Sequence, residues 1–238
     1  MQDHFSALNR GAANHVALSP VSFLERAAEV HADVVAVVHG DTRRTWAQTA
    51  DRVARVAQGL AELGIGKGDT VSVLAPNMPE LFELHFAVPV CGGVLSTINT
   101  RLEAETIAYI LDHSDSRVVL VSEELRPVLE QALKLAESAP RVLQIGGAAD
   151  AFAALLRAGP WRGSWLPEDE WDAISLNYTS GTSGRPKGVV YHHRGACLMA
   201  LGTVAAWQVG HHPVYMSVVP MFHCNAWGHL WKAAIVGG

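Results

Sequence analysis

The sequence is poor in charged residues and in cysteine. Charged residues make up 17% of the 238 positions, and 18 Lys and Arg against 23 Asp and Glu leave a net charge of -5. Without an extended basic stripe there is no electrostatic support for a nucleic-acid partner, so we expect none. The cysteines Cys91, Cys197 and Cys224 are odd in number and far apart, which argues against a disulfide framework and fits a reducing compartment.

Targeting patterns and long apolar runs are also missing. Residues 1–14 lack the basic and then apolar pattern of a secretory signal peptide. No apolar run approaches the roughly eighteen residues that a membrane span requires. The sequence therefore predicts no transmembrane segment and a cytoplasmic location, while 49% hydrophobic residues are ample for a globular core.

Strand-like and helix-like stretches alternate through residues 1–158, the first of three regions. Capping boxes at Ser22/Glu25 and Thr45/Gln48 predict two helix starts. The expected strands are 34–38, 70–74, 94–97, 117–121 and 141–145, and the expected helices are 22–31, 46–63, 79–91, 103–113, 126–138 and 150–157. This alternation predicts an α/β fold with a largely parallel sheet covered by helices. Residues 159–172 are expected to form a connector.

The third region, residues 173–238, opens with a loop rich in small polar residues. Tyr178 to Gly188 reads YTSGTSGRPKG and contains four hydroxyl residues besides the tyrosine, three glycines and Lys187. Glycines let backbone N–H groups converge on an anion, hydroxyls donate further bonds, and the lysine adds a full charge. The flanks, 173–178 and 188–191, look like strands. We therefore expect a phosphate-binding hairpin connection; a featureless surface loop is the alternative.

Two common phosphate motifs do not fit this loop. A P-loop needs a hydroxyl residue directly after its Gly-Lys pair, whereas Pro186 precedes Lys187 and Gly188 follows it. A dinucleotide fingerprint needs Gly-x-Gly-x-x-Gly opening a helix, which is absent. Beyond the loop we expect a helix at 195–207, a strand at 214–219, and an irregular aromatic-rich segment from Pro220.

The run YTSGTSGRPKG resembles the signature loop of the adenylate-forming (AMP-binding) superfamily, with Ser183 where threonine is commoner. The continuation through HHPVYMSVVPMFHCNAWGHLW is similar to the short- and medium-chain acyl-CoA ligase and methylmercaptopropionate-CoA ligase branch. The resemblance implies an enzyme that activates a carboxylic acid with ATP and Mg²⁺ and transfers the acyl group to CoA. It also leaves a homodimer as a possible assembly of the longer parent protein.

The resemblance also implies roles for individual residues. The residues implied to bind the ATP phosphates are Thr179, Ser180, Gly181, Thr182, Ser183, Gly184 and Lys187. Lys187 is the implied catalytic residue, and the Thr179 hydroxyl is the implied Mg²⁺ ligand. His223 and Trp227 match a His-x-x-x-Trp pattern and are expected to wall the acid pocket; the alternative for them is ordinary core packing.

Several histidines invite a zinc site, but their spacing does not support one. His192 and His193 are adjacent, so their side chains point in different directions along a strand. We expect them to cap the following helix or to pack beneath the loop. Neither Cys-x-x-Cys nor His-Glu-x-x-His occurs around His211, His212, His223, Cys224 and His229, so zinc is disfavoured.

Members of the superfamily are roughly twice as long as this chain. The resemblance therefore implies a partial N-terminal domain over residues 1–238, without the C-terminal domain and its catalytic lysine. We expect such a fragment to be inactive alone. The competing interpretation is a non-catalytic nucleotide-phosphate-binding or interaction fragment.

Overall fold

The computed structural model describes residues 9–179 and 184–238. The strands are β1 Val35–His39, β2 Thr42–Thr45, β3 Thr70–Leu74, β4 Val94–Thr97, β5 Ser116–Ser122, β6 Arg141–Ile145, β7 Ala173–Tyr178 and β8 Gly188–His192. The helices are α1 Val21–Val30, α2 Trp46–Glu62, α3 Pro79–Val90, α4 Ala104–His113, α5 Arg126–Leu133, α6 Phe152–Leu155, α7 His193–Ala206, α8 Cys224–Trp227 and α9 His229–Val236, with a 3-10 turn at Glu123–Leu125.

Six strands form the central sheet in the order β6-β5-β3-β4-β7-β8. Every neighbouring pair is parallel except β7 and β8, which pair antiparallel with Tyr178 opposite Gly188. β1 and β2 form a separate antiparallel hairpin. The predicted α/β fold with a largely parallel sheet is therefore confirmed.

Helices cover both faces of the sheet, as the side chains of β5 show. Val118 and Leu120 join the larger apolar core, which includes buried residues of α1, α2, α3 and α9. Val119 and Val121 point the other way, into a smaller core with α4 and α5. Side chains alternate between the faces of a strand, so the run Val118 to Val121 of β5 is uniformly apolar because both of its faces are buried.

The two predicted capping boxes had different outcomes. The Thr45 hydroxyl accepts a hydrogen bond from the Gln48 backbone, the Gln48 side chain accepts one from the Thr45 backbone, and α2 begins at Trp46 as expected. The Ser22 box was wrong. Pro20 precedes the first residue of α1 and supplies no side-chain cap, while the Ser22 hydroxyl donates to the Ser19 carbonyl.

Two predicted helices are shorter than expected. The helix expected over 126–138 ends at Leu133, because Asp112 accepts hydrogen bonds from the backbone N–H groups of Glu137 and Ser138 and draws that stretch onto α4. The Ser138 side chain, and to a lesser extent these backbone bonds, lower the pKa of Asp112. The helix expected over 150–157 is the single turn α6.

The strand expected over residues 214–219 is wrong. This stretch has no ladder partner among the described residues, and Val214, Met216 and Val218 are exposed. The side chain of Asn77 holds the C-terminal end of this stretch instead.

Two other elements differ from expectation. β2 was not foreseen, and α9 is helical where an irregular segment was expected. Across the described ranges, no helix combines the length and the apolar character that a bilayer span requires.

Candidate functional site

The hydroxyl-rich loop joins the antiparallel strands β7 and β8, as its flanks predict. Thr179 N–H donates to the Lys187 carbonyl at 3.0 Å, and Lys187 N–H donates to Thr179 Oγ1 at 3.3 Å. These two bonds close the base of the loop. Thr179, Gly184 and Lys187 are all exposed, so the described part of the loop presents its polar groups to solvent.

The middle of the predicted phosphate site, residues 180–183, lies outside the described residues. The expected roles of Ser180, Gly181, Thr182 and Ser183 therefore stay predictions. Gly184 has φ +151°, a conformation that side chains disfavour, so glycine suits this position. The Lys187 amine makes no hydrogen bond or ion pair with any described residue.

Helix α4 holds the descending arm of the loop. The Tyr109 hydroxyl donates to the Pro186 carbonyl at 3.3 Å, and the Arg185 guanidinium lies 5.1 Å from the centre of the Tyr109 ring. At this distance a guanidinium is attracted to the face of an aromatic ring. One helical turn later, His113 Nδ1 lies 2.8 Å from the Tyr178 hydroxyl at the end of β7. Burial, with Tyr109 nearby, raises the pKa of Tyr178 to about 12, so this phenol is neutral at pH 7.

Three polar side chains lie at or just beyond the carboxyl ends of parallel strands, where α/β sheets bind ligands. Asn77 follows β3, Thr97 ends β4, and Asn177 lies near the end of β7. Asn77 Nδ2 donates to the carbonyls of Ser217 and Val219 at 3.1 and 3.0 Å, and its Oδ1 accepts from Met221 N–H at 2.7 Å. One asparagine thus fixes the chain that leads into the His-x-x-x-Trp segment.

A buried polar network continues from this clamp. The Thr97 hydroxyl lies 3.0 Å from the Phe222 carbonyl and 3.2 Å from Asn177 Oδ1, two acceptors for its single proton. Asn225 Oδ1 accepts hydrogen bonds from Asn177 Nδ2 at 2.7 Å and from the Ser175 hydroxyl at 3.0 Å. The network ties the turn around Asn225 to β7, the strand that leads into the hydroxyl-rich loop.

The His-x-x-x-Trp segment is a left-handed turn. All four residues of α8 have positive φ, from 49° at Cys224 to 55° at Trp227. Asn225 and Ala226 in the middle are buried, whereas His223 is exposed and Trp227 is 61% exposed. Core packing therefore does not account for His223 or Trp227. The buried centre of the turn anchors it, and both predicted pocket residues stay available to a ligand.

Of the two adjacent histidines, His192 meets the helix-cap expectation and His193 does not cap the helix. His192 is the N-cap of α7, and its Nδ1 accepts a hydrogen bond from Gly195 N–H at 2.9 Å. His193 is buried, with its Nδ1 2.8 Å from the Ser19 hydroxyl. Burial lowers the pKa of His193 to about 4, so its imidazole is neutral at pH 7.

Sequence reasoning missed the residues that position the site: Asn77, Thr97, Ser175, Asn177 and Asn225. Asn77, Thr97 and Asn177 carried one usable signal, because polar side chains near the carboxyl ends of parallel strands gather at one edge of a sheet. Nothing in the local sequence marked Asn225, whose partners lie far away in the chain.

Comparison with known proteins agrees with this geometry. Residues 24–238 match the family described as AMP-binding enzyme. The chain is 43% identical to a peroxisomal butyrate–CoA ligase of Arabidopsis thaliana over 95% of its own length and 43% of that ligase. It therefore spans less than half of this relative.

Solved structures of similar chains share the fold. The N-terminal domain of FACL13 from Mycobacterium tuberculosis superposes with a TM-score of 0.74 at 30% identity, covering 92% of this chain and 56% of that one. An anthranilate CoA ligase in complex with anthranoyl-AMP superposes with a TM-score of 0.81 at 25% identity, covering 96% of this chain and 46% of that one. The matched residues and the shared fold show that the chain belongs to the AMP-binding enzyme family.

Proposed function

We propose that this chain is the phosphate-binding and acid-pocket portion of an AMP-forming acyl-CoA ligase. The observation that carries the proposal is that β7, the strand leading to Thr179 and the exposed Lys187, also bears Ser175 and Asn177, which anchor the turn between His223 and Trp227. Family membership and the ligase relative support the same reaction class.

The reaction has two steps. A carboxylate oxygen forms a bond to the α-phosphorus of ATP while the bond to the β-phosphate bridging oxygen breaks, giving an acyl adenylate and pyrophosphate. The CoA thiol loses its proton and attacks the acyl carbon, so that a thioester forms and AMP leaves. Negative charge grows on the departing pyrophosphate, and preorganised donors there speed the first step.

The loop supplies such donors. Lys187 has no other described partner, so its ammonium is free to meet a phosphate oxygen. The hydroxyls of Thr179, Ser180, Thr182 and Ser183 and the N–H groups of Gly181 and Gly184 are proposed to bind the other phosphate oxygens. Thr179 Oγ1 accepts one hydrogen bond from Lys187 N–H and keeps a second lone pair, which fits a single Mg²⁺ ligand. Bound there, Mg²⁺ would neutralise phosphate charge.

His223 and Trp227 are proposed to wall the acid near its reacting carboxylate. Bulky side chains at that end favour a short or medium unbranched acid, in line with the name of the butyrate–CoA ligase relative. We expect thioester formation by the full-length protein to fall as the acid lengthens beyond medium chains. A preference for long chains in a competition assay would refute this assignment of the pocket.

The test of the proposed function is a pair of lysine variants. In a full-length protein that contains this region, Lys187→Ala is expected to slow pyrophosphate release roughly a hundredfold, the usual cost of one lost charge-stabilising donor. Lys134→Ala removes an exposed lysine of the 1–158 region and should leave the rate unchanged. Equal rates for Lys187→Ala and the unmodified protein would remove Lys187 from the mechanism.

Residues 1–238 alone are expected to form neither acyl adenylate nor thioester. They span less than half of the ligase relative, and removing some members of a set of catalytic groups that act together removes most of the rate. Calorimetry with Mg·ATP then separates a phosphate binder from an inert chain, and steady turnover would contradict the expectation.

A cytoplasmic location and a homodimer of the parent remain predictions, to be checked by cell fractionation and light scattering. The ligase relative is named as peroxisomal.

A further inference from the structure

Lys232 is a buried lysine without a counter-ion. It is 4% exposed, and it makes no ion pair or hydrogen bond with any residue in the described ranges. Its Nζ lies 4.8 Å from the centre of the Trp207 ring and 4.9 Å from the centre of the Tyr215 ring. Two aromatic faces compensate an ammonium only partly, so the site carries positive charge that no described acidic group neutralises.

A second basic group shares the same aromatic walls. His229, one turn earlier on α9, is 5% exposed, and its ring centre lies 4.8 Å from that of Trp207 and 5.0 Å from that of Tyr215. Its Nδ1 is enclosed and has no hydrogen-bond partner among the described residues. Buried polar atoms normally have partners, so the described residues leave both this ring nitrogen and the neighbouring ammonium unsatisfied.

Two members of the cluster line an apolar cavity. A cavity of about 530 Å³ is lined by Tyr215 and His229 and also by apolar side chains, among them Phe82, Met221 and Leu230. Burial lowers the pKa of Lys232, and burial together with Lys232 lowers that of His229. Both groups therefore lack the opposite charge that would restore their usual pKa, and a bound anion would supply it.

We propose that Lys232 and His229 bind the carboxylate of an amphiphilic organic acid whose apolar chain lies in the adjoining cavity. One ammonium and one imidazole suit a monoanion. A phosphate dianion would call for the arginine fork or backbone N–H groups that build phosphate sites, and none lies among the four side chains of the cluster. The proposal does not depend on adenylation, and its test contains neither ATP nor CoA.

The test uses the whole chain and reads Lys232 directly. The sequence has four lysines, at 67, 134, 187 and 232, so selective ¹³C labelling at Cε gives four side-chain signals. The Lys232 signal should be displaced by ring currents from Trp207 and Tyr215. We expect octanoate to move that signal saturably while the Lys134 signal stays in place. Octan-1-ol has the same chain length without the charge and should bind more weakly.

Matched variants complete the test. Lys232→Met should weaken octanoate binding about tenfold or more, as loss of a charged hydrogen-bond partner does. Lys134→Met should leave octanoate binding unchanged, and octan-1-ol should bind both variants equally. Equal octanoate affinity in wild type and Lys232→Met would overturn the proposal, as would stronger binding of inorganic phosphate than of octanoate. If Lys232→Met does not fold, a wild-type Lys232 signal that stays fixed at saturating octanoate refutes it.

Discussion

Asn225 gives a quantitative test of how the His-x-x-x-Trp turn is held. Its side-chain oxygen accepts hydrogen bonds from Asn177 and Ser175, and its φ of 51° lies in the left-handed region. Asparagine tolerates that region better than most residues do. Asn225→Ala therefore removes the hydrogen-bond acceptor. It also places alanine in a left-handed conformation that alanine tolerates less well than asparagine does.

The magnitude follows from these two contributions. A buried donor that loses its acceptor costs about 1–3 kcal/mol, and here two donors are affected, although Asn177 Nδ2 keeps a contact of 3.4 Å with Ser175. The left-handed conformation adds about 1 kcal/mol for alanine. We expect Asn225→Ala to lower the free energy of unfolding by about 3–5 kcal/mol. Asn225→Gly removes only the hydrogen bonds and should be about 1 kcal/mol less damaging.

Urea unfolding monitored by circular dichroism and tryptophan fluorescence measures these differences. Gln131→Ala, which removes an exposed amide on α5, is the control and should stay within about 0.5 kcal/mol of wild type. The reasoning fails if Asn225→Ala unfolds within 1 kcal/mol of wild type, on the order of its strain contribution alone. It also fails if the glycine variant is the less stable of the two.

Two further predictions concern stability. Burial holds the pKa of His85 and of His193 at about 4, below the value of about 6.5 expected in the unfolded chain, so the unfolded state binds more protons between these values. Stability present above pH 6.5 should fall by about 2–3 kcal/mol per histidine on acidification to pH 4.5, and an unchanged urea midpoint would contradict this. Arg52→Met leaves the fully buried Glu83 with fewer partners and should cost about 2–4 kcal/mol. The same change at Arg55, whose ion pair with the exposed Asp51 lies on the surface, should cost under about 1 kcal/mol; equal losses would refute the argument.

The sheet could be predicted from the sequence because its strands are apolar on both faces and are separated by amphipathic helices. The strands at 70–74, 94–97, 141–145 and 173–178 match the structure residue for residue. The stretch 214–219 has the same apolar character, but a strand also needs a partner, and partners are set by the tertiary fold. Local pattern alone could not distinguish these two situations.

The candidate site also has a part that the sequence reveals and a part that it does not. The loop and the His-x-x-x-Trp pattern are each a short continuous stretch, so their residue types and spacing could be recognised in the sequence. The side chains that position them, Asn77, Thr97 and Asn225, act on partners distant in the chain. Ala226 and Trp227 in α8 have positive φ, although both residue types prefer negative φ. The buried hydrogen bonds of Asn225 hold the turn in this conformation, which the local sequence does not predict.

The placement of the loop at the end of the strand order has a mechanical consequence. β8 ends the sheet, so within the described residues it is held by a single ladder, to β7, whereas each interior strand is held by two. A displacement of the loop that pulls on β8 therefore strains one ladder, whereas β7 is also joined to β4 through the Leu95–Ser175 pair. The ascending arm continues from β7, which has strands on both sides. The loop thus has one stiff arm and one compliant arm, and we expect hydrogen exchange to be faster in β8 than in β7.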